Sequence, residues 1–494
     1  MIDVLRRHPG PVLAIAFIVL QLLDVKSYPL FSYDEPLLND AGWQLVRLGQ
    51  FRSDLRSLQE GFESRYLWQP PALPLSAALS YSLFGLGLVQ TRLPGIVFGG
   101  LGVWAIYGLV LSATGRRWTA VVAAMLLFMW PPWMSTARIS RMDTGAILAL
   151  LVATAGVLGS LRNPREPGTL PLFLCGLAAG CGALFHTVAL PWCFGLFCVL
   201  LLFSGARVVP AAAFGLGVGI PVLAWVGYGL VTPQDFKLQF LDHLLVRTAG
   251  GDGLAGRLGG EVERYARDLS RMPAALFVAM VALYGFVRHR LWRQRAVAVL
   301  LALTAIVVLL HAVVAGKDSG YYPLYPMTLI FCLAAIGIGA LVPARVEARG
   351  DRVAAFIALS SVVLFVANGA VVALGPRLLA SWKQGPQRDY DVQMAPLRQV
   401  LKPGDTVWGN PVVWFAVVDA GASLKASNWA ERSSLMVADP GRDKYVVVSR
   451  GKTFLGMENY RKILEFGQDL PLAFGAPLSD KSYTFDLWQS NSLD

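Results

Sequence analysis

PALPLSAALSYSLFGLGLV, residues 71–89, is apolar enough to be a membrane helix and broken enough not to be one. It begins at a double proline, Pro70 and Pro71, and carries Ser76, Ser80, Tyr81 and Ser82 before Gly85 and Gly87. If this stretch crosses a bilayer, every later loop changes side. The surrounding chain makes the question unavoidable. Of its 494 residues 55% are hydrophobic and 15% charged, and the mean hydropathy of +0.53 exceeds what a water-soluble chain of this length carries. The composition is that of a polytopic membrane protein. Runs of about 15 to 24 apolar residues, enough for a helix to cross the hydrocarbon core when flanks are counted, lie at 10–26, 93–113, 118–134, 144–161, 169–185, 187–203, 208–231, 273–287, 296–315, 323–342 and 353–375. That gives about eleven expected spans.

Loop charges arbitrate on 71–89, because Lys and Arg in short loops favour the cytoplasmic side. With Arg6 and Arg7 inside and 71–89 not crossing, the later inside loops hold twelve arginines, among them Arg116, Arg117, Arg288, Arg290, Arg293 and Arg295. The short outside loops hold Arg138, Arg141 and Lys317, and the longer 232–272 loop adds six basic residues. The bias keeps its sign, so 71–89 is expected on or dipping into the outer face. Asp34, Glu35, Asp143 and Asp318 then share that face. The formal charge of +11 is accounted for by such loops and does not indicate nucleic acid. MIDVLRRHPG opens like a signal peptide, but no small-x-small cleavage site follows the apolar run, so residues 10–26 read as a retained span. All five cysteines fall within apolar runs, without the partners or spacing of a metal site.

After residue 375 the composition becomes that of a soluble segment without cysteine. DTVWG (405–409), KYVVVS (444–449) and YTFDLW (483–488) read as strands, and ENYRKILEFG (458–467) reads as a helix ending at Gly467. The expectation is a membrane domain over 1–375, with 24–92 as its first outer loop, and a small extracytoplasmic α/β domain over 376–494.

Six stretches, in order, resemble the polyprenyl-phosphate-sugar glycosyltransferases of the GT-C fold, the group of the protein O-mannosyltransferases and the lipid A aminoarabinose transferase. YDEPLLNDAGWQLVRLGQF (33–51) is similar to the family's Asp-Glu pair heading an amphipathic helix. QPPALPLSAALSYSLFG (69–85) and TRLPGIVFGGLGVWAIYGL (91–109) resemble its Pro-rich juxtamembrane helix and the Arg-Leu-Pro lead into the next span. RISRMDTGAILALLVATAG (138–156) resembles its second acidic site, FLDHLLVR (240–247) a Glu/Asp-His-x-x-x-Arg stretch, and KDSGYYPLYPMTLIF (317–331) the start of a late span. The chain departs from relatives of the aminoarabinose transferase at Trp68-Gln69, where those often have Glu-Lys, and at His186-Thr187, where many have Thr-Lys.

The resemblance implies an α-helical polytopic GT-C enzyme of a bacterial-type inner membrane, with its N-terminus cytoplasmic. It implies transfer of a sugar, with inversion, from a polyprenyl-phosphate donor to a glycan, lipid or protein acceptor at the outer face. Such a reaction needs a base for the acceptor hydroxyl and cations for the departing phosphate. Asp34 is the expected base, its basicity raised by desolvation at the rim of an apolar cavity, and Glu35 orients it or the loop. Asp143 is either a helix N-cap or a group orienting acceptor or donor. Arg247, Lys317, Tyr321 and Tyr322 supply the donors an oxyanion takes, with Gln69, His243 and Arg92 as further contacts. Arg138 and Arg141 are given no role beyond interfacial charge, and His186 and His311 read as packed or interfacial rather than catalytic. No cofactor is certain; a divalent metal is the weaker alternative, since Trp68 and Gln69 remove a ligand and a cation. The rival class is a lipid or glycolipid transporter, whose ionisable groups would lie within spans and whose halves would repeat; neither feature is seen.

Overall fold

The structure is a computed structural model that describes residues 8–57, 61–162, 168–205, 208–248, 253–314, 322–342, 349–426, 443–454, 456–470 and 483–491. Helices stand at each of the eleven apolar stretches. Among the described residues five helices can cross a bilayer unaided by length and hydropathy: Leu88–Thr114, Asp143–Arg162, Val208–Gly229, Arg295–Val313 and the apolar part of Gly350–Val400. The stretch expected as one span at 118–134 is instead two helices, Arg117–Phe128 and Pro131–Arg138, bent by 62°. Pro131 and Pro132 explain the bend, because proline withholds an N–H and clashes with the preceding turn. The other apolar helices have 10–17 residues.

The deciding stretch forms the helix Ala72–Phe84, closed by Gly85 at φ 78°. Its 13 residues reach only about 20 Å at 1.5 Å per residue, short of the ~30 Å hydrocarbon core. Leu75, Leu79 and Leu83 are exposed at i, i+4, i+8 spacing, while Leu73, Ala77 and Tyr81 are buried. One apolar stripe thus faces outward along a helix whose other side packs inward. The helix Asp34–Leu48 packs against it at Gly42, where a Cβ would collide with the Pro74 carbonyl.

The C-terminal segment carries a five-stranded sheet, β1 (Thr406–Gly409), β2 (Ser423–Ala426), β3 (Tyr445–Ser449), β4 (Tyr460–Phe466) and β5 (Phe485–Ser490), in the order β2-β1-β3-β5-β4. The first three run parallel, and β5 is antiparallel to both β3 and β4. Strand β4 corrects the helix expected over 458–467. Tyr460, Ile463 and Leu464 mimic helical spacing, but the open edge of β5 offers ladder pairing. Tyr460 packs on Phe454 and Phe466 on Phe485, with centroids 5.4 and 5.5 Å apart. Gly467, at φ 77°, ends a strand rather than a helix.

One face of the sheet has a core of its own, with Trp408, Val446, Val448, Phe454 and Tyr460; the other shares its core with the first loop. Phe31 from the first loop inserts between Tyr390 and Phe415, at 5.4 and 5.0 Å. The Tyr483 hydroxyl accepts from Phe31 N at 2.5 Å, and Ala426 N on β2 donates to Leu55 O at 2.8 Å. Leu37, Leu38, Tyr66 and Leu73 share one apolar cluster with Leu397, Val407, Trp414 and Leu487. The sheet and the loop that bears Asp34 therefore occupy the same side of the helical bundle.

Candidate active site

Asp34 and Glu35 open the helix Asp34–Leu48, where carboxylates are favoured by the exposed N–H groups of the first turn. Adjacent in sequence, they meet opposite environments. Glu35 is 1% exposed and pairs with the fully buried Arg92, whose Nε donates to Oε2 at 2.9 Å and Nη2 to Oε1 at 2.7 Å. Ser32 N and Ser140 N donate to the same carboxylate. Arg92 completes its shell with the carbonyls of Val25, Pro29 and Leu30. All of its N–H donors are thereby engaged within the protein, the arrangement of an anchoring residue. Glu35 and Arg92 hold the loop that carries Asp34.

The Asp34 side chain is 53% exposed. The desolvation expected of it is absent; the buried acid of the site is Asp143, at the start of the helix Asp143–Arg162. Arg141 joins the two, with Nη1 3.5 Å from Asp34 Oδ2 and Nε donating to Asp143 Oδ2 at 3.2 Å. The other oxygen of Asp143 lies 3.2 Å from His186 Nδ1 and accepts from the Tyr325 hydroxyl at 3.3 Å. His186 Nδ1 and that hydroxyl are 3.0 Å apart. His311 stacks on Tyr325 at 5.6 Å, its own Nδ1 2.9 Å from the Val307 carbonyl.

His186 is also part of the wall of a cavity of about 610 Å³. Gln69, His243, His311 and Tyr322 contribute further polar groups, and apart from Thr187 the remaining wall is apolar, including Leu190, Phe194, Val222 and Trp225. Trp68 lies under the Arg56 guanidinium at 3.6 Å and meets His243 edge-on at 5.5 Å. A chain of polar groups thus runs from exposed Asp34 through Arg141 and Asp143 to an apolar chamber.

Of the residues singled out from the sequence, Gln69, His243 and Tyr322 line this chamber and Asp34 and Asp143 stand beside it through Arg141 and His186. The side chain of Arg247, and Lys317 and Tyr321 altogether, lie outside the described residues. Arg141, His186 and Tyr325 are the residues that sequence reasoning passed over. Arg141 precedes Asp143 by two positions, and His186 is the polar break between two apolar runs; both were visible, but neither says which carboxylate it will meet. Among the described residues no three His, Cys, Asp or Glu side chains converge as metal ligands would.

Residues 68–226 match the family model of dolichyl-phosphate-mannose-protein mannosyltransferases. The match includes Arg141, Asp143 and His186 and begins after Asp34. Among solved structures the chain is similar to ArnT from Cupriavidus metallidurans in the apo state, at 14% identity and a TM-score of 0.63, with 97% of each chain covered. It is similar to ArnT bound to undecaprenyl phosphate, at 14% identity, 97% coverage of each and a TM-score of 0.61. It also resembles the oligosaccharyltransferase AglB from Archaeoglobus fulgidus in complex with an inhibitory peptide and a dolichol-phosphate, at 13% identity and a TM-score of 0.51, over 92% of this chain and 70% of that one. No curated protein matches the chain. At these identities the likeness is one of fold, and the fold is the GT-C fold that the six sequence motifs implied.

Proposed function

We propose that this protein is an inverting integral-membrane glycosyltransferase that moves a sugar from a polyprenyl-phosphate donor to a lipid, polysaccharide or protein acceptor at the outer face of a bacterial-type inner membrane. The observation that carries the reading is the pair of carboxylates joined by Arg141 beside a largely apolar chamber: one acid is open to solvent and an acceptor, the other is buried against the chamber. A prenyl tail fits apolar walls, and a phosphate needs the donors gathered at the polar end. The match of 68–226 and the likeness to structures holding undecaprenyl phosphate and dolichol-phosphate support the donor class.

In this reading Asp34 takes the proton from the acceptor hydroxyl as its oxygen attacks the anomeric carbon in line, opposite the phosphate. Asp143 orients the donor or acceptor through Arg141. Arg247, Lys317, Tyr321 and Tyr322 bind the phosphate, with Gln69 and His243 beside them. The N-terminus is cytoplasmic, residues 1–375 form the membrane domain, and residues 376–494 stand outside and shape access to Asp34.

The test has two arms. Purified protein in lipid nanodiscs is offered undecaprenyl-phosphate hexoses and pentoses with an envelope extract, and release of undecaprenyl phosphate is followed. Surface glycans of a deletion strain are compared with the parent's by mass spectrometry. A donor consumed in the first arm and a glycan lost in the second are expected; no release and unchanged glycans would refute the proposal.

A further inference from the structure

We infer that His186 is the acid of the transfer: held by Asp143, its imidazolium gives the Nε2 proton to the oxygen that bridges sugar and phosphate as that bond breaks. This rests on the proposed function and adds a second proton-transfer group to it.

Geometry comes first. His186 is nearly buried, its Nδ1 is 3.2 Å from Asp143 Oδ1, and its ring forms part of the chamber wall. The Tyr325 hydroxyl donates to Asp143 Oδ1, so both its oxygen, 3.0 Å from Nδ1, and the carboxylate face that nitrogen as acceptors, an arrangement that calls for the hydrogen on Nδ1. An acid that fixes Nδ1–H leaves Nε2, across the ring, as the nitrogen that exchanges a proton. Asp143 is itself fixed, with Arg141 on one oxygen and His186 and Tyr325 on the other. The remaining groups around the ring are Tyr322, at 6.1 Å between centroids, and His311 behind Tyr325.

The chemistry calls for such a group. A polyprenyl-phosphate sugar is a phosphodiester with one negative charge, and its departure develops a second on the bridging oxygen. The C1–O bond breaks with its electron pair on that oxygen, the acceptor oxygen bonds to C1, Asp34 gains the hydroxyl proton, and the phosphate gains the proton of His186. Exchange with water then returns a proton to His186 and removes one from Asp34. The departing phosphate oxygen is a base and an imidazolium N–H facing it is a donor, the pairing that general acid catalysis needs.

The test uses the full-length protein in nanodiscs and whichever undecaprenyl-phosphate sugar it consumes, alongside the same donor with sulfur in the bridging position, which departs without needing a proton. His186→Asn keeps a donor toward Asp143 but has no Nε2; His186→Gln places a non-titrating amide near that position. Each is first checked for monodispersity and undecaprenyl-phosphate binding. Both variants should slow release from the oxygen donor by roughly 10²- to 10⁴-fold. With the sulfur donor they should turn over near the wild-type rate. An equal loss on both donors would overturn the inference and leave His186 a packing residue. A wild-type protein that consumes no donor would instead overturn the proposed function.

Discussion

Asp34, Glu35 and Asp40 lie on one helix within two turns, and their surroundings give them three different tasks. Asp34 is solvent-facing, so Asp34→Asn should preserve the fold and donor binding while slowing single-turnover transfer by roughly 10²- to 10⁴-fold, the scale of general-base loss. Asp143→Asn removes the carboxylate that holds Arg141 and His186, so it should lower turnover as well as apparent acceptor affinity; a loss that persists on the bridging-sulfur donor would instead mean that Asp143 and Asp34 exchange roles. Glu35 depends on Arg92 as a buried pair. Arg92→Met strands a carboxylate, at a cost of roughly 3–5 kcal/mol, and thermal unfolding should show the double variant Arg92→Met/Glu35→Met recovering part of that loss. Recovery is incomplete because the carbonyls of Val25, Pro29 and Leu30 also lose their donor. Asp40 is buried and accepts from Gln44, Ser53 and Leu55 N; burial outweighs these bonds and moves its pKa up from 3.8 to about 6. The folded protein therefore binds a proton that the unfolded chain has released between those values. The contribution of Asp40 to stability is fully present below about pH 4 and is lost as pH rises through about 6, by up to roughly 3 kcal/mol. Asp40→Asn should flatten that slope in apparent Tm between pH 4 and 7. Gln44 Oε1 is buried without a partner, so turning that amide would receive the new Asn N–H.

At the scale of elements, the two helices Asp34–Leu48 and Ala72–Phe84 act as one platform because a glycine meets a backbone carbonyl where they touch. Gly42→Ala forces the helices apart at Pro74, an overpacking cost of roughly 1–3 kcal/mol. The displacement moves the first turn of the helix and hence Asp34, so activity should fall further than the apparent Tm. Wild-type transfer by Gly42→Ala would show that the contact does not set the position of Asp34. The sheet meets the same platform from the other side, through Phe31 and Leu55, which ties its placement to the loop rather than to the last apolar helix alone.

On the scale of the molecule, the shared core of the first loop and the sheet puts Asp34 and residues 376–494 on one face. A reporter active only outside the cytoplasm should be active when fused after residue 380 and silent when fused within RHRLWRQR, residues 288–295. The opposite pattern would place Asp34 and Asp143 in the cytoplasm and exclude outer-face transfer.

Membrane residence, the positions of the apolar helices and the acids at one face were legible from the chain, because hydrocarbon thickness and loop charge act on local composition. So was the shortness of the helix within 71–89, where proline, serine and glycine interrupt one short run. The three strands that were recognised carry their own β-branched and aromatic signature. Strands β4 and β2 did not, because each is an edge strand that takes its identity from the neighbour it pairs with. The bend after Phe128 was written in Pro131 and Pro132, yet its angle depends on what the second half packs against. The division of labour between Asp34 and Glu35 was beyond the sequence altogether: adjacent carboxylates are chemically alike until one finds Arg92 and the other water. Likewise Arg141 and His186 become site residues only when folding sets residues 34, 141, 143, 186 and 325 side by side, since hydrogen bonds and ion pairs act over ångströms in space and leave no period in the chain.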